Sequence, residues 1–263
     1  MEEVCGSRGL KEWAAAKVVW DVVGTWAARR RWAKCKAEGR KRVCGSMARV
    51  DGYRVLDSSY RALLVAITPL NERAGWGNTR CAGWTVRDLV HHLWSDAQRA
   101  LVALHTPAAG PADVDSVSYW RPWQPGRPGA EAGLRGTRIM ASVWSSFEPL
   151  AALYAERASA VLVAGHGRTG DDLVATQDHV LTVDALFRTL AVEATVHHLD
   201  LWLGEPSEEG LAETRRVLDG LLGRPAPIED AVRYALIGTG RESPTADEVD
   251  AFGADAGRLP LFG

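Results

Sequence analysis

The length, composition and charge of the chain limit the kinds of protein it can be. It has 263 residues, 46% of them hydrophobic, which is enough to form a core in one large domain or in a domain with appendages. The formal net charge of −2 provides no overall field that would attract nucleic acid or a membrane surface, so neither is expected as a partner. No apolar run approaches the roughly 18 residues that cross a bilayer, and the N-terminal residues lack the order of a secretory signal, which predicts a cytoplasmic protein.

Residues 1–46 differ from the rest of the chain in their charge. They contain 11 Lys and Arg residues against 5 Asp and Glu residues, whereas residues 47–263 contain 20 against 28. Three of the four cysteines lie in this first stretch, but their spacing matches no short zinc motif or disulfide framework. The stretch is either a functional basic tail or upstream sequence included by an early start, with Met47 the true beginning. We favour the second interpretation and treat 1–46 as a basic N-terminal extension, disordered or an artefact of the assigned start.

From Met47 onward, helical patterns alternate with Gly- and Pro-rich connections, which predicts an all-α fold. Thr85, with Asp88 three positions later, predicts an N-terminal cap on the second helix. Gly204 follows the fourth helix, as is typical of a helix end. An apolar tail after the last helix is expected to pack back on the bundle. The predicted helices cover residues 51–71, 85–104, 137–164, 182–203, 208–222 and 228–237.

The connection between the second and third helices, residues 106–133, contains too much Pro and Gly for a regular element. A connection of this length inside a compact domain is typical of a functional loop. Its aromatic residues Tyr119, Trp120 and Trp123 have two interpretations. They either line a pocket or only cover the end of the bundle, and the sequence leaves both open.

The fourth helix carries ionisable residues on its apolar face. At about 100° per residue, Glu193, His197 and Asp200 fall in the same stripe as the apolar positions, and Arg188 falls on the opposite side. Burial of an unpaired carboxylate costs several kcal/mol, so these groups need compensation. Glu193 and His197 are one helical turn apart and can ligate one divalent metal, while Asp200 orients the ring of His197. Alternatively, Glu193 and His197 only hydrogen-bond to each other in a core network.

The second helix can supply a further ligand, because it contains two adjacent histidines. His91 and His92 lie on opposite flanks of its apolar stripe, and periodicity does not choose between them. Two histidines and one glutamate form a set of three ligands that zinc accepts, with a fourth position left for water or substrate. Cys81 is predicted to be a plain small side chain, and no cysteine is suited to be a fourth ligand.

Two motifs carry a family resemblance: GWTVRDLVHHL at 83–93 and DALFRTLAVEATVHHLDLWLG at 184–204. Together they resemble the DinB-like superfamily and, within it, the actinobacterial mycothiol-dependent maleylpyruvate isomerase type. The likeness extends over about residues 47–204, and the ending at 237–263 is similar to that of short members of the group.

The resemblance implies an up-down-down-up four-helix bundle with three metal ligands. Those ligands are a histidine of the first motif and the Glu-x-x-x-His of the second. Carried over to this chain, they are His92, Glu193 and His197, so the resemblance favours His92 over His91. It also implies a bundle domain over 47–204, followed by a short helical extension over 205–263.

The resemblance further implies a metal-dependent enzyme, with zinc the expected metal, that activates mycothiol for S-transfer to, or thiol-assisted isomerisation of, a small electrophile. The chain lacks the sterol-carrier-like domain expected after the bundle of the isomerase, which argues against maleylpyruvate as the substrate; related members are thiol S-transferases or act in secondary metabolism. A metal-dependent hydrolase and a non-catalytic metal-binding stress protein are the alternatives.

We expect a small thiol and a small electrophile as partners, and a monomer or homodimer. The candidates for holding the substrate or the thiol, from their position in predicted loops, are Arg80, Tyr119, Trp120, Arg121 and Trp123.

Overall fold

The computed structural model describes residues 51–263, and this part of the chain is almost entirely helical. Nine α-helices and one antiparallel hairpin are found among the described residues, which confirms the all-α class. The basic extension over 1–46 lies outside the described residues. The elements are α1 (Asp51–Ile67), α2 (Glu72–Gly75), α3 (Val86–Leu104), α4 (Ala130–Ala141), α5 (Phe147–Gly165), β1 (Leu173–Thr176), β2 (His179–Thr182), α6 (Val183–Asp200), α7 (Glu208–Leu222), α8 (Ala231–Gly238) and α9 (Ala246–Phe252).

Four long helices, α1, α3, α5 and α6, form the bundle, and α1 runs parallel to α6. At the start of both helices, the backbone N–H of Gly52 donates to Oδ1 of Asp184 at 2.8 Å. Further along, the hydroxyl oxygens of Ser59 and Thr195 lie 3.3 Å apart. Contacts therefore advance in the same direction along both helices.

The two middle helices of the bundle, α3 and α5, also run parallel to each other. Near the start of α3, Nη1 of Arg87 donates to the carbonyl of Trp144, just before α5, at 2.7 Å. At the other end, Nη1 of Arg168, just after α5, donates to the carbonyl of Leu104 at 2.9 Å. Because the two helices are parallel, the chain must travel back along the length of the bundle from the end of α3 to the start of α5. This explains the long connection at 105–146.

Helix α3 runs antiparallel to α6, which completes the topology. Trp84, just before α3, has its ring centroid 6.4 Å from that of His197 near the end of α6. At the opposite ends, Ala100 of α3 and Leu186 of α6 line the same cavity. The bundle is therefore up-down-down-up, as the resemblance implied.

The prediction of one continuous third helix is wrong at its N-terminal end. The structure has two helices, α4 and α5, separated by residues 142–146. In this break the carbonyl of Trp144 accepts from Arg87, and Oε2 of Glu72 accepts from the backbone N–H of Phe147 at 2.5 Å. Tertiary contacts thus satisfy backbone groups that helical hydrogen bonds would otherwise use, and periodicity carries no information on such partners.

Helix α6 is buried on nearly every side, because the C-terminal helices cover the face opposite the bundle core. Val192 and Val196 pack in a second apolar cluster with residues of α7, α8, α9 and the tail. On this face, Arg188 is paired with Asp184 at 2.7 Å and with Glu213 at 2.8 Å. The side of α6 that carries Arg188 is therefore packed against α7 and is not simply open to solvent. The division of the chain at residue 204 stays a prediction.

The C-terminal helices agree with the sequence except at one element. Helix α7 has the predicted bounds, and α8 begins three residues later than expected. Helix α9 was not predicted. Leu261 and Phe262 of the apolar tail are buried in the second cluster. Within residues 51–263, no helix is long and apolar enough to span a membrane.

Candidate metal centre

Local capping interactions fix the starts of the two helices that carry the candidate ligands. Oγ1 of Thr85 accepts from the backbone N–H of Asp88 at 3.4 Å, and Oδ2 of Asp88 accepts from that of Thr85 at 2.8 Å. This capping box confirms the predicted helix start. On α6, Oγ1 of Thr182 accepts from the backbone N–H of Ala185 at 3.1 Å. Each of the two helices that carry the candidate ligands therefore begins at a defined residue.

The side chains of His92, Glu193 and His197 converge between α3 and α6. Oε1 of Glu193 lies 2.8 Å from Nε2 of His92 and 3.4 Å from Nε2 of His197. The two imidazole rings are 4.8 Å apart, and one ligand atom from each of the three residues lies within 4.8 Å of the others. The side chains are 29%, 22% and 7% exposed, respectively, so the cluster is inside the bundle but accessible from one side.

Glu193 and His197 each shift the pKa of the other toward its charged form. Burial is the largest influence on the pKa of Glu193 and raises it, but hydrogen bonds with His197 and His92 outweigh burial and hold the pKa well below its usual range. Burial likewise lowers the pKa of His197, yet hydrogen bonds with Asp200, Cys81 and Glu193 raise it well above the ordinary value. Without a metal, a proton on His197 compensates the carboxylate of Glu193. A divalent cation can take over this role.

Asp200 contacts the far side of the His197 ring and has no exposed side-chain surface. Its Oδ2 accepts from Nδ1 of His197 at 2.8 Å and from Sγ of Cys81 at 3.0 Å. Arg241 donates to both carboxylate oxygens, from Nε and Nη2, each at 3.1 Å. Burial raises the pKa of Asp200, but the contacts with His197 and Arg241 outweigh this and hold it below its ordinary value. The carboxylate is therefore ionised at neutral pH.

Cys81 and Arg241 are two residues near this centre that sequence reasoning missed. Cys81, expected to be a plain small side chain, has its Sγ 3.0 Å from Asp200 and 3.9 Å from Nδ1 of His197. Arg241 follows α8 in a turn, where no periodicity indicates which way a side chain points. The sequence signal for such a residue was Asp200 on the apolar stripe of α6, because a buried carboxylate needs a positive charge nearby.

Two sets of potential ligands share His197, and they differ in how well they suit a metal. The first is His92, Glu193 and His197; the second is Cys81, His197 and Asp200. Both oxygens of Asp200 already accept from Arg241, which neutralises that carboxylate. The first set offers two imidazole nitrogens and a carboxylate without an arginine partner, a combination that zinc accepts. The residues present fit a divalent metal at the first set.

A cavity of about 110 Å³ opens beside the candidate ligands. His92 and Glu193 form part of its wall, so a molecule in the cavity would reach the cluster directly. Tyr119, Trp120 and Trp123 also line it. Of the two interpretations that the sequence left open, the structure shows that these aromatics line a pocket.

The polar wall of this cavity is a connected network of side chains. Arg99 forms an ion pair with Asp96, whose side chain is 7% exposed, and its positive charge also opposes the rise that burial causes in the pKa of the nearby Tyr119 hydroxyl. The hydroxyl of Tyr119 in turn donates to Oε1 of Gln177, at the tip of the β-hairpin. Burial raises the pKa of Asp96, and Arg99 opposes that shift. The network brings α3, the long loop and the hairpin together around one space.

Two of the five candidates for substrate or thiol binding are not in the cavity wall. Arg80 forms an ion pair with Glu242, and its Nε donates to the carbonyl of Leu199 at 3.2 Å. Arg121 is exposed and is not among the residues that line the cavity. Arg99 and Gln177 are in the wall, and sequence reasoning named neither.

The neighbouring histidine, His91, has different surroundings from His92. It is buried, its ring lies 5.4 Å from that of Trp94, and its Nδ1 accepts from Nε1 of Trp144 at 3.4 Å. His91 therefore packs between α3 and the start of α5. Among the two histidines of the motif, His92 is the one beside Glu193.

The family model for the mycothiol maleylpyruvate isomerase N-terminal domain matches residues 56–202. The chain belongs to this family. The match begins within α1 and continues past the end of α6, so the three candidate ligands of this isomerase-family bundle lie inside it, whereas Arg241 lies outside. The comparison with curated proteins found no match, and neither did the comparison with solved structures.

Proposed function

We propose that the protein is a metal-dependent enzyme that activates mycothiol for attack on a small electrophilic substrate. The single observation that supports this most is the convergence of His92, Glu193 and His197 beside a cavity whose wall includes the first two. Three protein ligands leave a coordination position for an incoming group. His92, Glu193 and His197 would hold a divalent metal, zinc by the type of ligands, and the bound ion would lower the pKa of an incoming thiol so that the thiolate forms near neutral pH.

The residues around the cluster would orient the ligands. Asp200 accepts from Nδ1 of His197, which directs Nε2 of the ring toward Glu193. The negative charge of Glu193 favours a cation between the two histidines. The thiol would have to come from solution, because Cys81 lies on the Nδ1 side of His197, away from Glu193.

The cavity would hold the two reactants. Tyr119 and Trp123, with ring centroids 6.1 Å apart, offer aromatic faces suited to the sugar portion of the thiol. Arg99 and Gln177 provide N–H groups for oxygen atoms of either reactant. By contrast, Leu186 and Leu190 form an apolar part of the wall that keeps water away from the reacting sulfur.

Two reaction outcomes are compatible with this arrangement. In both, the thiolate sulfur forms a bond to an electrophilic carbon of the substrate. In S-transfer, a leaving group departs with its electron pair and the product is a thioether. In isomerisation, the thiolate sulfur adds to a double bond, whose electron pair moves to the electron-withdrawing end of the substrate. The adduct rotates about the resulting single bond, and departure of the sulfur with its bonding electron pair restores the double bond and the thiolate.

A thiol-conjugation assay tests the proposal. Purified protein is mixed with mycothiol and an aryl halide whose thioether absorbs light, before and after treatment with a chelator. We expect conjugate formation that is lost on chelation and returns with zinc. Turnover of an ester or amide without added thiol would instead indicate a hydrolase, and absence of both activities would indicate a metal-binding protein without catalysis.

Matched variants sharpen this assay. Glu193→Gln removes the charge from the candidate ligand set, whereas His91→Gln changes a buried histidine that does not contact Glu193. The first variant should lose the metal-dependent activity and the second should retain it. Equal activity in both would contradict the assignment of the reaction to this site.

A further inference from the structure

Arg241 lies outside the region that the family model matches, yet it pairs with Asp200 through two guanidinium nitrogens. Its Nε and Nη2 donate to the two carboxylate oxygens at 3.1 Å each, in the bidentate geometry that guanidinium and carboxylate groups favour. The side chain of Asp200 is fully buried and that of Arg241 is 13% exposed. Solvent therefore competes little for either partner, and the pair has a defined orientation.

The backbone and the third guanidinium nitrogen of Arg241 are also anchored. Its Nη1 donates to the carbonyl of Thr239 at 2.9 Å, and its backbone N–H donates to the carbonyl of Leu236 at 2.8 Å. Gly240, with φ of +73°, allows the turn that connects these residues. The end of α8 thus holds the guanidinium group at a fixed place beside α6.

The orientation of Asp200 matters because the same carboxylate contacts a candidate ligand. Its Oδ2 accepts from Nδ1 of His197 at 2.8 Å, and Nε2 of that ring faces Glu193 at 3.4 Å. A histidine ligand whose other nitrogen is bound to a fixed acceptor cannot rotate away from the metal. Without Arg241, the buried carboxylate would lose its cation and the acceptor would no longer be held in place.

We propose that Arg241 is a positioning residue of the metal centre, which holds the ring of His197 in its binding orientation through Asp200. The inference rests on the proposed metal site and adds that a residue beyond the matched domain completes it. Sequence comparison over the bundle alone would not find this residue, because the turn after α8 lies outside the match.

Zinc affinity measured by competition with a chromogenic chelator tests this role. We expect Arg241→Met to weaken zinc binding by roughly 10- to 100-fold, as loss of an outer partner of a ligand does, and Arg241→Lys to weaken it less. The matched control is Arg224→Met, which removes another arginine–carboxylate contact of the C-terminal segment, with Asp255 at 2.8 Å. The control should bind zinc within about threefold of wild type, a factor well below the expected loss.

A spectroscopic measurement separates positioning from a general effect on stability. In the metal-free protein, the proton on Nδ1 of His197 should give a downfield NMR signal that is protected from solvent exchange. We expect Arg241→Met to shift or remove this signal and Arg224→Met to leave it unchanged. An unchanged signal in Arg241→Met would overturn the inference.

The outcomes distinguish this inference from the proposed function. If wild type binds no zinc, the proposed function fails and the inference fails with it. If wild type binds zinc and Arg241→Met binds it within threefold, only the inference is overturned. Should Arg241→Met not fold, the Asp200→Asn/Arg241→Met variant removes both charges together, and wild-type zinc affinity in that variant would overturn the inference.

Discussion

His92 and Glu193 are separated by 101 positions in the chain, and their side chains meet at 2.8 Å. The contact exists because α3 and α6 run antiparallel, so that His92 on the flank of one apolar stripe meets Glu193 within the other. It joins the two motifs that carry the family resemblance. The predictions below test whether this contact, and the groups around it, form a metal centre.

Glu193→Gln should remove most of the bound metal. The substitution keeps the size of the side chain but removes the negative charge that favours a cation between His92 and His197. Elemental analysis of protein purified with zinc should give about one zinc per wild-type chain, as expected for a single three-ligand site, and far less for the variant.

The control for this substitution is Glu209→Gln, at a surface glutamate that accepts from Ser58 at 2.7 Å. The control makes the same Glu→Gln change at a position away from the cluster of His92, Glu193 and His197. Zinc content should equal that of wild type. Full occupancy in Glu193→Gln would show that the metal, if bound, is held elsewhere.

Substitution of the two adjacent histidines should have different effects. His92→Gln should lower zinc affinity by more than the roughly 10- to 100-fold typical of an outer partner, because it changes a proposed ligand itself. His91→Gln should retain zinc but lower the free energy of unfolding by about 1–3 kcal/mol, since His91 is buried against Trp94 and Trp144.

Zinc titration and urea unfolding of both histidine variants make this comparison. The two measurements are independent, so a variant that is only unstable is distinguished from one that has lost a ligand. Loss of zinc affinity in His91→Gln with full affinity in His92→Gln would reverse the assignment that the resemblance favoured.

Stabilisation by zinc should increase as the pH rises. The pKa of His197 is raised by Asp200, Cys81 and Glu193 against the effect of burial, so a proton competes with the metal for this ring. In the metal-free protein, the stability contributed by the protonated ring is complete below the unfolded value, about 6.5, and is lost as the pH rises through the folded value.

The two effects have opposite signs, which makes the measurement specific. Thermal unfolding is measured from pH 6 to pH 9 with and without zinc. As the pH rises, the Tm of the metal-free protein should lose the contribution of protonated His197, and the increase in Tm that zinc causes should become larger. A zinc-dependent increase that is the same at both ends of the range would argue against His197 as a ligand.

The Asp96–Arg99 pair should show strong coupling in a double-mutant cycle. Arg99→Leu leaves the nearly buried carboxylate of Asp96 without its cation and should lower the free energy of unfolding by about 1–3 kcal/mol. The lower part of this range is expected, because the side chain of Arg99 is 32% exposed and solvent screens the pair. The Asp96→Leu/Arg99→Leu variant should be less destabilised than the sum of the two single variants. Urea unfolding measures all four proteins, and additive effects would contradict a functional ion pair in the cavity wall.

The sequence alone determined the features that depend on neighbours within one helix. The all-α class, the capping box at Thr85, the bounds of α7 and the presence of Glu193 and His197 on an apolar stripe all follow from residue types at short spacings. These spacings are fixed by the geometry of the α-helix itself. The family resemblance added the order of the bundle and a preference for His92.

Tertiary structure alone decided the features that depend on contacts between distant segments. The break between α4 and α5, the cavity wall at Arg99 and Gln177, and the contact of Cys81 with Asp200 arise from how helices and loops pack. Arg241 reaches Asp200 across 41 positions, from a turn with no periodicity to indicate its direction. Local patterns record which face of a helix is apolar, but they do not record which side chain from another segment will meet it.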